Sequence, residues 1–231
     1  MRKLILSTLA GLFLVGVQAH GFGAIVVFNF NDATDATSKL ADTVAANVTG
    51  TPNYNAGAGL SQVDYTTGGV ANGSANARGF NPSGDAGAAL TANNYWTFTV
   101  TATAGNHLNL TSLVFDEKRG EDGPVDFQVE LNGTLLMPAL SSTESYVNHV
   151  IDLSAPAYDN LASVTIRMVA WNADNNGSSA QWFNDNVTLN GDVVANVEHA
   201  PEPATLALWA GFGIIGLVAA RRRKLLLATA N

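Results

Sequence analysis

Tyr95-Trp96-Thr97-Phe98-Thr99-Val100-Thr101 alternates large apolar residues with threonine. A repeat of two is the repeat of a β-strand, so Trp96, Phe98 and Val100 share one face and the threonines the other. A strand that is apolar on one side belongs to an antiparallel sheet with one packed face. Downstream the pattern recurs. His107 to Phe115 reads as a strand, with Leu108 and Leu110 on one face and Leu113 and Phe115 in phase after a shift. Lys118-Arg119-Gly120-Glu121-Asp122-Gly123-Pro124 is a charged turn. Val125 to Leu131 alternates again, and Asn132-Gly133 is a hairpin turn. Tyr146 to Leu153 is a further strand. Val164 to Trp171 reads as a central strand, with Val164, Ile166, Met168 and Ala170 inward and Trp171 on the opposite face, exposed beside the loop Asp174–Ser179. Trp182-Phe183 leads into the last strand, Asp185 to Gly191.

Upstream, Ile25-Val-Val-Phe-Asn-Phe30 is a first strand, rich in β-branched and aromatic residues. From Ala33 to Asn93 glycine and alanine are frequent and aromatics few. Short strands near Leu60–Thr66 and Ala77–Phe80 are expected there, with long loops and no long helix. Many short strands separated by turn residues indicate an all-β fold, an antiparallel β-sandwich. A jelly roll is expected rather than a fibronectin-like sandwich, because the first strand and the closing strand both read as central.

The chain has 231 residues and no cysteine. Disulfides, a thiol nucleophile and thiolate metal sites are therefore excluded, and stability must come from packing. The segment between the two ends, His20 to Ala200, carries five basic and eighteen acidic residues, a formal charge of −13. Such a body excludes nucleic acid and anionic membrane surfaces as partners and leaves cations, neutral glycans and basic proteins.

Both ends read as signals. Arg2 and Lys3 precede an apolar run from Leu4 to Val17, and Val17-Gln18-Ala19 gives signal peptidase its small residue at Ala19. Residues 1–19 are thus a signal peptide, with Ala24 a second choice of cleavage point, and residues 20–197 form the exported β-sandwich domain. At the far end, Pro201-Glu202-Pro203 holds the backbone extended. A 17-residue uncharged run, Ala204 to Ala220, follows and is long enough for a transmembrane helix. Arg221-Arg222-Arg223-Lys224 then forms a basic stop.

This tripartite tail, residues 198–231, resembles the PEP-CTERM sorting signal of exported proteins in Gram-negative bacteria. The resemblance rests on Pro201, Glu202 and Pro203, the glycine-rich span, and Arg221, Arg222 and Arg223. It departs from the family in the seven residues Leu225–Asn231 that follow the basic stop. The resemblance implies processing by exosortase near Pro-Glu-Pro, a transient membrane anchor, and delivery to the cell surface or extracellular matrix. In that family, exosortase systems accompany exopolysaccharide production and biofilm formation. Residues 94–191 further resemble the β-sandwich bodies of PEP-CTERM proteins and, more loosely, carbohydrate-binding jelly rolls. That likeness rests on Leu113–Arg119 with Gly123-Pro124, Val164–Val169 and Trp182–Leu189.

Three functions follow as expectations. The first is a non-catalytic structural or adhesive sandwich in the exopolysaccharide matrix. The alternative is a carbohydrate-binding module with a structural calcium. In carbohydrate-binding jelly rolls an Asp at the start of the last strand helps to hold calcium with the first strand, which points to Asp185 and Asp32 here; calcium takes six to eight oxygens. The exposed aromatics for stacking on sugar rings are Trp171 and Trp182. The third is a glycan-active enzyme, for which no carboxylate pair stands out. The four histidines, His20, His107, His149 and His199, show no zinc-site spacing. No catalytic residue is assigned, and no cofactor is required beyond the calcium of the alternative reading.

Overall fold

The computed structural model describes residues 23–31, 38–65, 73–80, 84–175 and 179–196. The expected signal peptide with Ala19, the expected sorting tail with Pro201, Glu202, Pro203, the apolar span 204–220, Arg221, Arg222 and Arg223, and the candidate ligand Asp32 all lie outside the described residues. Among the described residues no helix is long and apolar enough to cross a membrane.

The strands are β1 (Gly23–Phe28), β2 (Ser38–Leu40), β3 (Thr43–Val44), β4 (Asn53–Ala56), β5 (Ser61–Asp64), β6 (Ala75–Arg78), β7 (Tyr95–Thr101), β8 (Asn106–Arg119), β9 (Asp126–Leu131), β10 (Thr134–Leu135), β11 (Leu140–Ser141), β12 (Val147–Asp152), β13 (Ser163–Trp171) and β14 (Trp182–Ala195). One short helix, α1 (Ala86–Thr91), and a 3-10 turn at Pro156–Tyr158 complete the regular structure. Two antiparallel sheets result. The first runs β12-β8-β14-β1-β3, with β6 also on β14 and β5 on β6. The second runs β10-β9-β13-β7-β4-β2, with β11 on β9. The first and last strands pair at the centre of the first sheet, Phe28 opposite Val187 and Val27 opposite Thr188.

The alternation in the sequence is the alternation in the structure. Trp96, Phe98 and Val100 are buried, as are Val164, Ile166 and Met168 opposite them on β13. On β8 the inward set is Leu108 and Leu110, then Leu113, Phe115 and Glu117, so the phase shifts across Thr111 and Ser112. β8 runs on to Arg119, and the turn begins at Gly120. The two inward faces share one core whose density comes from aromatic rings. Tyr54 stacks on Trp96 at 5.5 Å and meets Phe28 at 5.3 Å and Phe30 at 5.3 Å. A second group joins Trp182 to Phe80 and Phe127, each at 5.7 Å. Each fully buried large side chain contributes about 1.5–3 kcal/mol, which lets the fold stand without disulfides.

α1 was not expected in the glycine-rich stretch. Asp85 caps it, accepting from the Ala88 N–H at 2.9 Å. It lies on the outer face of the second sheet, where Ala89 packs with Val169 and Trp171. This corrects the expectation for Trp171, which is 7 % exposed rather than free beside the loop. Trp182 is also corrected. It is fully buried, because the chain enters β14 on the core side and its Nε1–H donates to Glu117 Oε1 at 2.6 Å. Neither indole offers a face to a sugar.

Candidate functional site

Every inward residue of a strand fixes the outward orientation of its neighbours. On the second sheet the outward residues beyond the Val169–Trp171 patch under α1 are mostly polar, and register lines them up. Glu130 on β9 lies opposite Arg167 on β13. Arg167 lies opposite Thr97 on β7, and Thr97 opposite Asn55 on β4. The row Glu130–Arg167–Thr97–Asn55 therefore crosses four strands, one polar side chain per strand at the interstrand spacing of about 4.8 Å. Tyr95 flanks this row on β7, where α1 ends the open face. Thr99 and Thr165 flank it on the other side, their hydroxyls 2.9 Å apart.

The groups in the row differ in how far they are committed. Thr97 Oγ1 donates to the Ile166 carbonyl at 2.8 Å, and Gln128 Nε2 donates to Glu130 Oε1 at 3.0 Å. Glu130 is 6 % exposed, wedged between Arg167 and Leu135 of the neighbouring strands. The Arg167 guanidinium lies over the Tyr95 ring at 5.4 Å, a cation–π contact. No hydrogen bond or ion pair to Arg167 occurs among the described residues. A half-exposed guanidinium held over a ring, with its N–H groups unspent, is poised to donate to hydroxyls or carboxylates of a bound molecule.

The outer face of the first sheet is different in kind. Lys118 Nζ sits over Tyr146 and over Phe183, 4.7 Å from each ring centre. Asp116 accepts from Asn148 at 2.9 Å and from Asn186 at 2.7 Å, one bond to each carboxylate oxygen. Its rings and charges are satisfied by one another. Burial and the carboxylates at Asp185, Asp116 and Glu117 push the Tyr146 phenol up to about 12, against a bond to Ser74 that lowers it.

Two buried polar groups lie behind this face. Glu117 is 1 % exposed; its Oε1 accepts from Trp182 and from Ser142 Oγ, and its Oε2 is 3.6 Å from His149 Nε2. It belongs to the core and is out of reach of a bound chain. Asp185 is fully buried where β14 shifts from pairing with β6 to pairing with β1, and the next residue, Asn186, has φ of 50°. Asn184 beside it is fully buried, and neither its Oδ1 nor its Nδ2 finds a partner. Asn184 thus holds an orphaned amide oxygen and Asp185 a buried carboxylate, each a type of donor that calcium takes. No cluster of three metal-ligating His, Cys, Asp or Glu side chains occurs among the described residues.

The reading of the sequence picked the tryptophans and missed Tyr95, Arg167, Gln128 and Glu130. The signal was present. These residues occupy the alternate positions of the very strands whose inward positions were read correctly.

No family model and no curated protein matches this chain. Among solved structures it is similar to family 29 carbohydrate-binding modules. A CBM29-2 variant complexed with cellulohexaose is 16 % identical, with 74 % of this chain and 90 % of that one covered and a TM-score of 0.37. CBM29_1 from Piromyces equi is 6 % identical, with 74 % and 91 % covered and a TM-score of 0.35.

Proposed function

We propose that the sandwich is a non-catalytic, polysaccharide-binding module that uses the outer face of its second sheet. The observation that carries this reading is the row Glu130–Arg167–Thr97–Asn55 beside Tyr95, with the Arg167 donors uncommitted. An extended glycan laid across the strands meets Arg167, Thr97 and Asn55, while buried Glu130 closes the row behind them, and Tyr95 gives it an aromatic edge. The strand order also supports the jelly-roll reading: successive strands β7, β8 and β9 alternate between the sheets, and β14 closes beside β1.

Retention of the full chain on a panel of insoluble and gel-embedded polysaccharides tests this, with the exopolysaccharide of its own host included. Wild type is retained on at least one glycan. Arg167→Ala loses a charged hydrogen bond of about 1.5–3 kcal/mol, a drop in affinity of roughly 10- to 100-fold. A panel on which the wild type is nowhere retained defeats the proposal.

The fate of the chain is proposed from its ends. Signal peptidase removes residues 1–19, the tail anchors the chain, and exosortase releases it near Pro201–Pro203 to the surface or matrix. Export places a glycan-binding sandwich where polysaccharide is found. A structural calcium is the second part of the reading, favoured by the orphaned Asn184 Oδ1 and the buried Asp185 carboxylate. Calcium there would tie the start of β14 to the chain leaving β1, where Asp32 follows. A melting temperature unchanged by EDTA removes calcium from the account.

A further inference from the structure

β12 is the edge of the first sheet, and one of its sides is unpaired among the described residues. Its geometry fixes which groups are free. The Leu153 N–H donates to the Thr111 carbonyl at 2.9 Å, and the same register pairs Ile151 with Leu113 and His149 with Phe115. In an antiparallel ladder, residues that exchange hydrogen bonds with one neighbour alternate with residues that point away. Val147, His149, Ile151 and Leu153 therefore turn their backbone groups to β8. Asn148, Val150 and Asp152 turn theirs to the open edge.

Edge strands are usually blunted by lysine, proline, a bulge or short length. β12 has no lysine, proline or bulge, and its one outward charge is Asp152 at its end. It is six residues long, VNHVID, in unbroken register with β8. Val150 is 67 % exposed and Val147 38 % exposed. The side chains of Asn148, Val150 and Asp152 all project from the outer face.

We propose that β12 pairs with β12 of a second copy of this chain, antiparallel about a twofold axis through Val150, joining two first sheets into one. The self-complementarity of the strand selects this register. Residues directly opposite in an antiparallel pair share a face, so only even shifts keep the outer faces together. With Val150 opposite Val150 of the second copy, Asn148 falls opposite Asp152 of the second copy, and the reverse. The exposed valines cover each other, and an amide meets a carboxylate on either side. Asn148 spends one amide hydrogen on Asp116, and Asp152 accepts from the N–H and the hydroxyl of Ser154, which leaves an amide hydrogen and further carboxylate lone pairs for the partner. Shifting the centre to His149 sets Asn148 against Val150; shifting it to Ile151 sets Val150 against Asp152. Both oppose polar and apolar groups. Centring on Asn148 brings Asp152 opposite Glu144, two like charges.

The full chain contains no cysteine, so single-cysteine variants report position without background. Val150→Cys, at the axis, cross-links to itself and doubles the apparent mass on a non-reducing gel after mild oxidation. Asn148→Cys and Asp152→Cys each stay single alone and double in mass when co-expressed, because each faces the other. Leu135→Cys, 51 % exposed on β10, stays single. A Val150→Lys substitution in the otherwise unaltered chain halves the mass in solution with the β-sheet circular dichroism retained, and its melting temperature no longer depends on protein concentration. The proposal is overturned if the co-expressed pair does not cross-link, or if Asn148→Cys alone or Leu135→Cys cross-links as strongly as Val150→Cys.

Discussion

Glu117 and Trp182 show how much one residue can redirect. A carboxylate at 1 % exposure is tolerated only when donors meet it. Trp182 supplies one and Ser142 another. Trp182→Phe keeps the ring in the core and removes the donor. It should cost about 2–3 kcal/mol, or roughly 5–10 °C in melting temperature, without changing glycan retention at low temperature. Loss of retention in a folded Trp182→Phe protein would return this indole to the binding site. The tyrosines make a pH prediction. Burial, with the nearby Tyr65 adding to it, raises Tyr54 well above its usual value of 10.0, and burial with neighbouring acids raises Tyr146 to about 12. The fold thus holds the neutral phenols. Their contribution is intact below pH 10 and is lost as pH rises toward 12. Melting temperature should fall across that window, less steeply in Tyr146→Phe; a flat profile in the wild type contradicts it. That Trp182 is a core residue was not legible in the sequence, since its partner Glu117 lies 65 positions away and no local pattern announces the pair.

Elements divide into those the sequence declares and those that packing makes. The β9–β10 hairpin declares itself. Asn132 and Gly133 adopt φ of 51° and 80°, as a two-residue turn matching strand twist requires. Asn132 Oδ1 also accepts from the Thr165 N–H at 2.8 Å, which ties the hairpin to β13. The closing strand carries a stricter requirement. Gly191 has φ of 152°, and a Cβ there would stand 2.1 Å from the Asn109 carbonyl. Gly191→Ala must push β8 from β14 at the centre of the first sheet. It should therefore destabilise far more than Gly133→Ala, where a Cβ meets open space and the cost is about 1 kcal/mol. Equal melting temperatures for the two variants would contradict this. α1 belongs to the other class. Six residues are too few to be helical alone, so its existence depends on Ala89 reaching Val169 and Trp171. Ala86–Thr91 read as loop for that reason, and Trp171 read as exposed because its cover went unseen. Asp85→Ala removes the cap at about 1 kcal/mol. It should raise quenching of tryptophan fluorescence by iodide while leaving the global transition within a few degrees; unchanged quenching would mean that α1 does not depend on its cap.

Across the whole molecule, a strongly acidic body combines an open polar sheet face with a sheet edge that nothing covers among the described residues. Period-two patterning made the sandwich legible, because it survives any loop arrangement. The proposed binding face was harder to see, because it is a property of register between β4, β7, β9 and β13, and register is set by contacts distant in sequence. The fate of the chain is a prediction at this scale. The secreted form should have an intact mass ending within Pro201–Pro203, and a chain retaining Asn231 in the inner membrane would contradict release by exosortase. The central claim concerns the second sheet, and hydroxyl-radical footprinting of the full chain with and without the retained polysaccharide tests it most directly. The account predicts that oxidation of Tyr95 falls several-fold on binding while Tyr146 and Phe183, on the first sheet, react as before. Protection of Tyr146 and Phe183 with Tyr95 unchanged would place the site on the opposite face and contradict the account.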